Sequence, residues 1–418
     1  MKLKISNLGP INSMEIDMSK PFILFAGDNS TGKTYAATFL YTLILELRQY
    51  LKENRNLLPL KRRPQSDAEG SIEANDLFKL FDSFLKEKKA PIVSSMKLNV
   101  RSNTFKCKIV TSKEELEQEL LNKEVSDPNM SIVKKAQSFD YQLRGWNDEG
   151  LLPNMESQLI TSLFFDGIFG AKMFTAERSG IYTFGKLFSQ LRNSNEQLYL
   201  SYSKPIADEL TDYADIVIQR TRHSGYYQKF ANEIEKMIFP GKLNVSEKGE
   251  VSCNVADDTN LDINESSSAI KALAPLVFYL RHSADKFNVL FVDEPELNLQ
   301  PQNQIHLARI FVKMINAGLR MVISTHSDYI VREINNMIMA DGLNSYNNNK
   351  DDETFIKYKN NSWCLSPDKF AIYLFKNING KVKVDSLPVK RDGIIIPSFD
   401  EAFSEQKKVK SAFNKLLY

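Results

Sequence analysis

The chain has 418 residues, enough for two or three domains or for one large domain with insertions. Apolar residues make up 42% and charged residues 25%, and 54 Lys and Arg against 52 Asp and Glu leave a net charge of +2. That balance excludes a bulk polycation, so nucleic acid, if bound, must meet a local patch. Three cysteines far apart form no CxxC pair, which argues against a disulfide framework or a zinc site and predicts a reducing, cytoplasmic setting. No apolar run reaches the roughly 20 residues that span a bilayer, and MKLKISNLGP lacks the apolar stretch of a signal peptide.

Residues 1–26 alternate apolar and polar positions around Gly9-Pro10 and predict two or three strands, the last a fully apolar Phe22–Phe25. A long, mostly apolar helix follows from Lys33 to about Leu51, so residues 1–51 form a first lobe. Residues 52–170 read as an inserted, mainly helical region with a hairpin near 96–110. It carries basic positions at Lys61, Arg62, Arg63, Lys86, Lys88 and Lys89, which could meet a phosphate backbone or form a solvated face. A short strand at Lys172–Thr175, helices over 182–239 and a hairpin over 242–256 come next. An α/β rhythm then returns. Asn288–Val292 is a buried strand, Pro301 opens a helix that Gly318 ends, and Met321–Ile323 is the next strand, an arrangement that predicts a parallel crossover. The core therefore resumes over 171–340, and 341–418 reads as a C-terminal extension with a loop at 344–352, two strands and a closing helix.

Gly27-Asp28-Asn29-Ser30-Thr31-Gly32-Lys33-Thr34 matches GxxxxGK[ST] between a strand and a helix. A loop that wraps a triphosphate with backbone N–H groups needs glycine where the chain approaches closely. The helix N-terminus then faces the phosphates, Lys33 reaches the β and γ groups, and the Thr34 hydroxyl ligates Mg²⁺. The apolar strand 289–292 ends in Asp293-Glu294, where a sheet of this class places its ligand. Asp293 is the expected Mg²⁺ residue and Glu294 the general base for the attacking water. The next strand ends in Ser324-Thr325-His326, and His326 is expected to reach the γ-phosphate. His223, His282 and His306 have no such placement, and Arg220 and Arg222 carry no decisive signal.

These motifs resemble the ABC-type ATPases of the SMC, RecF and OLD group. LKISNLGPI, the phosphate loop, the Asp293-Glu294 pair and the Ser-Thr-His strand carry that resemblance. Phe174–Gly180 (FTAERSG), Ser266–Lys271, Glu294–Leu299 and Ile394–Glu401 are similar to segments of compact bacterial anti-phage ATPases within the group. Those include PtuA of Septu and retron systems and AriA of PARIS. The resemblance is weak across 52–170.

It implies a mixed α/β P-loop core with a helical insertion and a small α+β extension. It also implies ATP and Mg²⁺ as cofactors, and a head-to-head dimer or higher oligomer in which a serine-rich signature caps the partner's ATP. Ser267, Ser268 and Lys271 occupy that signature position, with Ala269 where glycine is commoner; the serines also suit a helix N-cap. Gln300 replaces a histidine often seen before the following proline. No Asp-x-Asp follows His326 and no histidine cluster occurs, so nuclease activity is expected to reside in a separate effector encoded nearby. The alternative is a DNA-maintenance ATPase acting directly on DNA.

Overall fold

A computed structural model describes residues 1–54, 60–62, 68–100, 104–111, 115, 130–134, 138–143, 152–192, 201–215, 225–239, 241–255, 259–343 and 352–395. The strands are β1 (Lys2–Leu8), β2 (Ile11–Asp17), β3 (Phe22–Gly27), β4 (Leu60–Arg62), β5 (Ala68–Glu73), β6 (Lys106–Ile109), β7 (Met130–Lys134) and β8 (Ser138–Leu143). They continue with β9 (Gly170–Phe174), β10 (Gly241–Val245), β11 (Val251–Val255), β12 (Asn260–Asp262), β13 (Asn288–Asp293), β14 (Arg320–Thr325), β15 (Phe370–Ile378) and β16 (Lys381–Leu387). The helices are α1 (Lys33–Glu53), α2 (Ala74–Ser95), α3 (Leu152–Phe164), α4 (Arg178–Arg192) and α5 (Lys204–Ala214). After them come α6 (Gln228–Met237), α7 (Ser268–His282), α8 (Pro301–Asn316), α9 (Asp328–Leu343) and α10 (Glu353–Asn360).

The described residues build one large sheet in the order β6-β1-β2-β16-β15-β3-β14-β13-β9. Its centre is parallel: β3 pairs with β14 and β15, and β13 pairs with β14 and β9. Side chains alternate between two cores. Ile23, Phe25, Val289, Phe291 and Val322 join the layer under α1, α2 and α3. Phe22, Leu24, Leu290, Val292, Met321 and Ile323 join the opposite layer with α6, α7, α8 and α9. Cover on both faces is why these strands read as unbroken apolar runs. The β1–β2 hairpin buries Leu3, Ile5, Leu8, Ile11, Met14 and Ile16 in one core alone, and its sequence alternates accordingly.

The turn of the hairpin expected near 96–110 falls on residues 101–103, outside the described residues, and β6 beyond it is an edge strand of the main sheet. β6 pairs antiparallel with β1, Leu3 opposite Ile109, because the alternating β1 leaves an open edge that α2 delivers the chain to. The segment 52–170, expected to be mainly helical, contains α2 and α3 but also a sheet in the order β4-β5-β8-β7. β8 (SFDYQL) alternates strictly, while β4 (LKR) and β5 (AEGSIE) carry little periodic signal.

Residues 370–387, expected in a C-terminal extension, complete the main sheet. β15 pairs with β3, β16 pairs with β2, and the two strands fill the space between the N-terminal hairpin and the phosphate-loop strand. Aromatic contacts hold them there: Phe25 meets Phe375 at 5.3 Å and Tyr373 at 6.1 Å, and Phe22 meets Phe370 at 5.2 Å. The Asp17 N–H also donates to the Tyr373 hydroxyl at 2.7 Å. The closing helix, most of the loop at 344–352 and residues 396–401 lie outside the described residues, as do Arg63, Arg220, Arg222 and His223. Among the described residues, no helix is long and apolar enough to cross a membrane.

Gly27 closes β3 at φ 133°, and a Cβ there would lie 2.2 Å from the Phe375 carbonyl oxygen. Gly27→Ala is therefore expected to destabilise the protein, on the order of 1–3 kcal/mol from backbone strain before the clash is added. A urea melt checks this, as a lower midpoint at unchanged slope. An unchanged midpoint would mean that β15 does not sit against β3 in solution.

Candidate active site

Parallel strands bring their carboxyl ends to one edge. Register places Ala26 beside Thr325, Asp293 beside Ser324 and Val292 beside Phe174. The phosphate loop, the carboxylate pair, the histidine and the FTAERSG segment therefore meet at the edge where open α/β sheets bind ligands. A cleft of about 910 Å³ opens there, lined by Ser30–Thr34, Glu294 and His326. Residues from well beyond the motifs, among them Asn7, Pro10, Asn99 and Lys381, form its other wall.

The loop geometry follows from its residues. Gly32 is left-handed at φ 89°, and a Cβ there would stand 2.8 Å from Pro10 Cγ. Ser30 is also left-handed, at φ 58°. The Thr31 hydroxyl donates to the Asp28 carbonyl at 2.7 Å. α1 starts at Lys33 with no side-chain cap and no acidic residue in its first turn. Its first N–H groups are left for an anion.

Lys33 is buried. Its ammonium donates to the carbonyls of Gly27 at 2.9 Å and Asp28 at 2.6 Å, with His326 Nδ1 at 3.3 Å. Burial pushes Lys33 down to about 8, while the carboxylates of Glu294, Asp293, Asp28 and Glu296 oppose that shift.

Asp293 accepts from Thr34 Oγ1 at 2.9 Å and from the Ser324 hydroxyl. Burial raises the Asp293 carboxyl, and these two hydrogen bonds and Arg178 counter it. His326 Nε2 lies 3.2 Å from Glu294 Oε1. With Lys33 donating to Nδ1, the pattern fits the neutral Nε2–H tautomer, which donates to Glu294. That hydrogen bond is the main reason the Glu294 carboxyl lies below its ordinary value. Glu294 itself sits at φ 47°. A non-glycine residue held there stores on the order of 1–3 kcal/mol, a cost that clusters at functional sites.

The donor set suits a triphosphate with Mg²⁺. It offers a buried cation, uncapped helix N–H groups, and a hydroxyl and carboxylate in contact. Mg²⁺ prefers one or two carboxylate oxygens completed by phosphate and water. Among the described residues no cluster of three His, Cys, Asp or Glu side chains could hold an ion alone, so the nucleotide would have to complete the shell.

Lys33, Thr34, Asp293, Glu294 and His326 are thus brought together. Ser267, Ser268 and Lys271 are not; they do not line this cleft. Ser267 caps α7, its hydroxyl accepting from the Ile270 N–H at 3.4 Å, and Lys271 donates to the Asn264 carbonyl at 2.9 Å. Both serines are exposed. Of the basic positions, Lys88 pairs with Glu53 at 3.0 Å and Lys89 lies 5.8 Å over the Phe105 ring.

Two residues of the site had no assigned role in the sequence reading. Glu296 Oε1 accepts from the N–H groups of His326 at 2.6 Å and Ser327 at 3.1 Å, which fixes the turn after β14. Ser324 anchors Asp293. Both lie inside motifs already quoted; a buried turn after β14 must satisfy its N–H groups, and that need is the signal that points to Glu296.

Residues 177–331 match the family model described as an AAA ATPase domain. The match covers somewhat over a third of the chain and includes the carboxylate pair and His326 but not the phosphate loop. No curated protein matches the chain in sequence. Similar solved structures include an SMC head bound to the C-winged helix domain of ScpA, with 13% identity, 93% of this chain and 98% of that chain covered, and a TM-score of 0.40. Another is the SMC head domain from Thermotoga maritima, with 9% identity, coverage of 93% and 98%, and a TM-score of 0.34. A third is an Smc head with an extended coiled coil bound to the C-terminal domain of ScpA derived from Pyrococcus furiosus, with 12% identity, coverage of 98% and 98%, and a TM-score of 0.36. The chain carries an ATPase domain on a mixed α/β P-loop fold.

Proposed function

We propose that the chain binds and hydrolyses ATP with Mg²⁺ in this cleft and closes as a dimer over the nucleotide, as a subunit of an anti-phage system that controls a separate effector. One observation carries the chemistry: Lys33, Thr34, Glu294 and His326, from three adjacent strand ends, face one cleft, and the buried Asp293 is held beneath them by the Thr34 hydroxyl. In this reading the Gly27–Thr34 loop cradles the phosphates and Lys33 neutralises the β and γ oxygens. Thr34 and Asp293 would hold Mg²⁺, which would supply charge neutralisation to the triphosphate. Glu294 takes a proton from the attacking water. His326 orients Glu294 through Nε2 and stands beside Lys33, where it braces the γ-phosphate.

The position of the signature supports dimerisation in this reading. Ser267 and Ser268 are exposed and lie outside their own chain's cleft, so they have ATP to cap if a second copy presents it. The FTAERSG and EPELNL segments support the defence role through their similarity to bacterial anti-phage ATPases.

The test has three arms. Purified protein is expected to release phosphate from ATP in a Mg²⁺-dependent manner. Light scattering is expected to show a dimer, or a multiple of it, with ATP and Mg²⁺. The chain with its neighbouring genes is expected to protect cells from phage, with no cleavage of DNA or RNA by the chain alone. Absence of ATP binding sinks the chemistry, and a strict monomer sinks the composite site. ATP turnover stimulated by DNA in the absence of any partner favours a DNA-maintenance role instead.

A further inference from the structure

Arg178 opens α4 directly after the β9 strand end, and 2% of it is exposed. Its guanidinium donates four hydrogen bonds, all to backbone carbonyls. Nη1 reaches Thr175 at 2.8 Å and Asp293 at 2.7 Å, Nη2 reaches Glu294 at 2.8 Å, and Nε reaches Ala272 at 2.9 Å. A buried cation held by carbonyls alone is expensive, so its countercharge matters. Four carboxylates act on it, Glu209 most strongly and then Asp293, Glu296 and Glu294. Glu209, 1% exposed, accepts from the Thr175 N–H at 3.1 Å and the Thr175 hydroxyl at 2.9 Å. Thr175 thus stands between the two buried charges.

The four acceptors fall on three elements: the end of β9, the end of β13 and helix α7. On β13 they are the carbonyls of the two residues that carry the carboxylates. The Glu294 backbone is in the left-handed region, and its N–H is fixed separately to the Ser324 carbonyl at 2.9 Å. A strained backbone persists when its surroundings over-determine it. One planar fork holding both adjacent carbonyls supplies that constraint, and no ammonium has the fixed geometry to replace it. On α7 the acceptor is the Ala272 carbonyl, in the second turn of the helix that Ser267 caps.

We propose that Arg178 is a positioning residue for ATP hydrolysis, which sets the Glu294 carboxylate through the carbonyls of Asp293 and Glu294 and ties it to the Ser267-capped helix. The inference rests on the reading of Glu294 as the base. Displacement of α7 is passed to Glu294 by one rigid side chain, so turnover depends on where the signature helix sits, while ATP binding through Lys33 does not.

Arg178→Lys keeps the charge and removes the fork. Its kcat is expected to fall about 10²-fold, the effect of misplacing a reacting group by about an ångström. Affinity for a non-hydrolysable ATP analogue is expected to stay at the wild-type value. The double variant R178K/E294Q is expected to turn over no more slowly than E294Q in single-turnover assays, because residues acting as a unit are not additive. Wild-type kcat in R178K, joint loss of kcat and analogue affinity, or additive losses in the double variant would overturn the proposal. E294Q measured alongside separates the two readings. Wild-type turnover in E294Q refutes Glu294 as base, whereas a dead E294Q beside a fully active R178K refutes Arg178 alone. If R178K has no melting transition, Glu209→Gln takes its place. It leaves every Arg178 acceptor present, removes the carboxylate that acts on Arg178 most strongly, and is expected to lower kcat with analogue affinity unchanged; an unchanged kcat overturns the proposal.

Discussion

Lys33→Ala is expected to reduce ATP affinity by on the order of tenfold to a hundredfold or more, the value of a charged hydrogen bond in a buried site. The physical reason lies in what surrounds the ammonium. Asp28, Asp293, Glu294 and Glu296 all act on Lys33, so removing it leaves a triphosphate to approach these carboxylates without the ammonium that offsets them. The ammonium has no carboxylate partner of its own. It rests on two carbonyls of the loop and on His326, which a phosphate oxygen can replace without breaking an ion pair. Titration of the purified variant with a fluorescent ATP analogue, alongside a thermal melt to confirm folding, measures the effect. Unchanged affinity in a folded variant would remove the phosphate site from this loop.

Glu294→Gln is expected to keep ATP binding and to lower turnover by about 10²–10⁴, the usual contribution of a general base. The amide keeps an oxygen to accept from His326 Nε2, so the side chain holds its place. It loses the proton acceptor. The ionised carboxylate is already favoured by that hydrogen bond and by Lys33 and Arg178, so the wild-type base is in its working form at neutral pH. With hydrolysis blocked, the ATP-closed dimer is expected to accumulate, and light scattering with ATP and Mg²⁺ reads that directly. Phosphate release at the wild-type rate would place the base elsewhere in the cleft.

How much of this was legible in the sequence varied by element. β3, β13 and β14 announced themselves as short apolar runs because both of their faces are buried, and α8 showed its Pro301 start and Gly318 stop. The β10–β11 hairpin over 241–255 lies where alternation predicted one over 242–256. The pairing of β6 with β1 was not legible, because an edge strand of four residues has too few positions to declare its partner. The small sheet of β4, β5, β7 and β8 escaped although β8 (SFDYQL) alternates strictly.

The sequence by itself determined the local chemistry. A glycine loop followed by Lys33 and Thr34, a buried strand ending in Asp293-Glu294 and another ending before His326 are each set by residue type and spacing, since backbone freedom and period-2 burial act within a few residues. Tertiary structure decided what those pieces meet. Pairing of β15 with β3 and β16 with β2 depends on contacts across more than 300 residues, such as Asp17 with Tyr373, and no local pattern encodes a partner that distant. The same holds for Arg178, whose place in the FTAERSG segment did not reveal its partners. Its four acceptors come from residues 175, 272, 293 and 294, which share one point in space because parallel strands deliver their ends to a common edge.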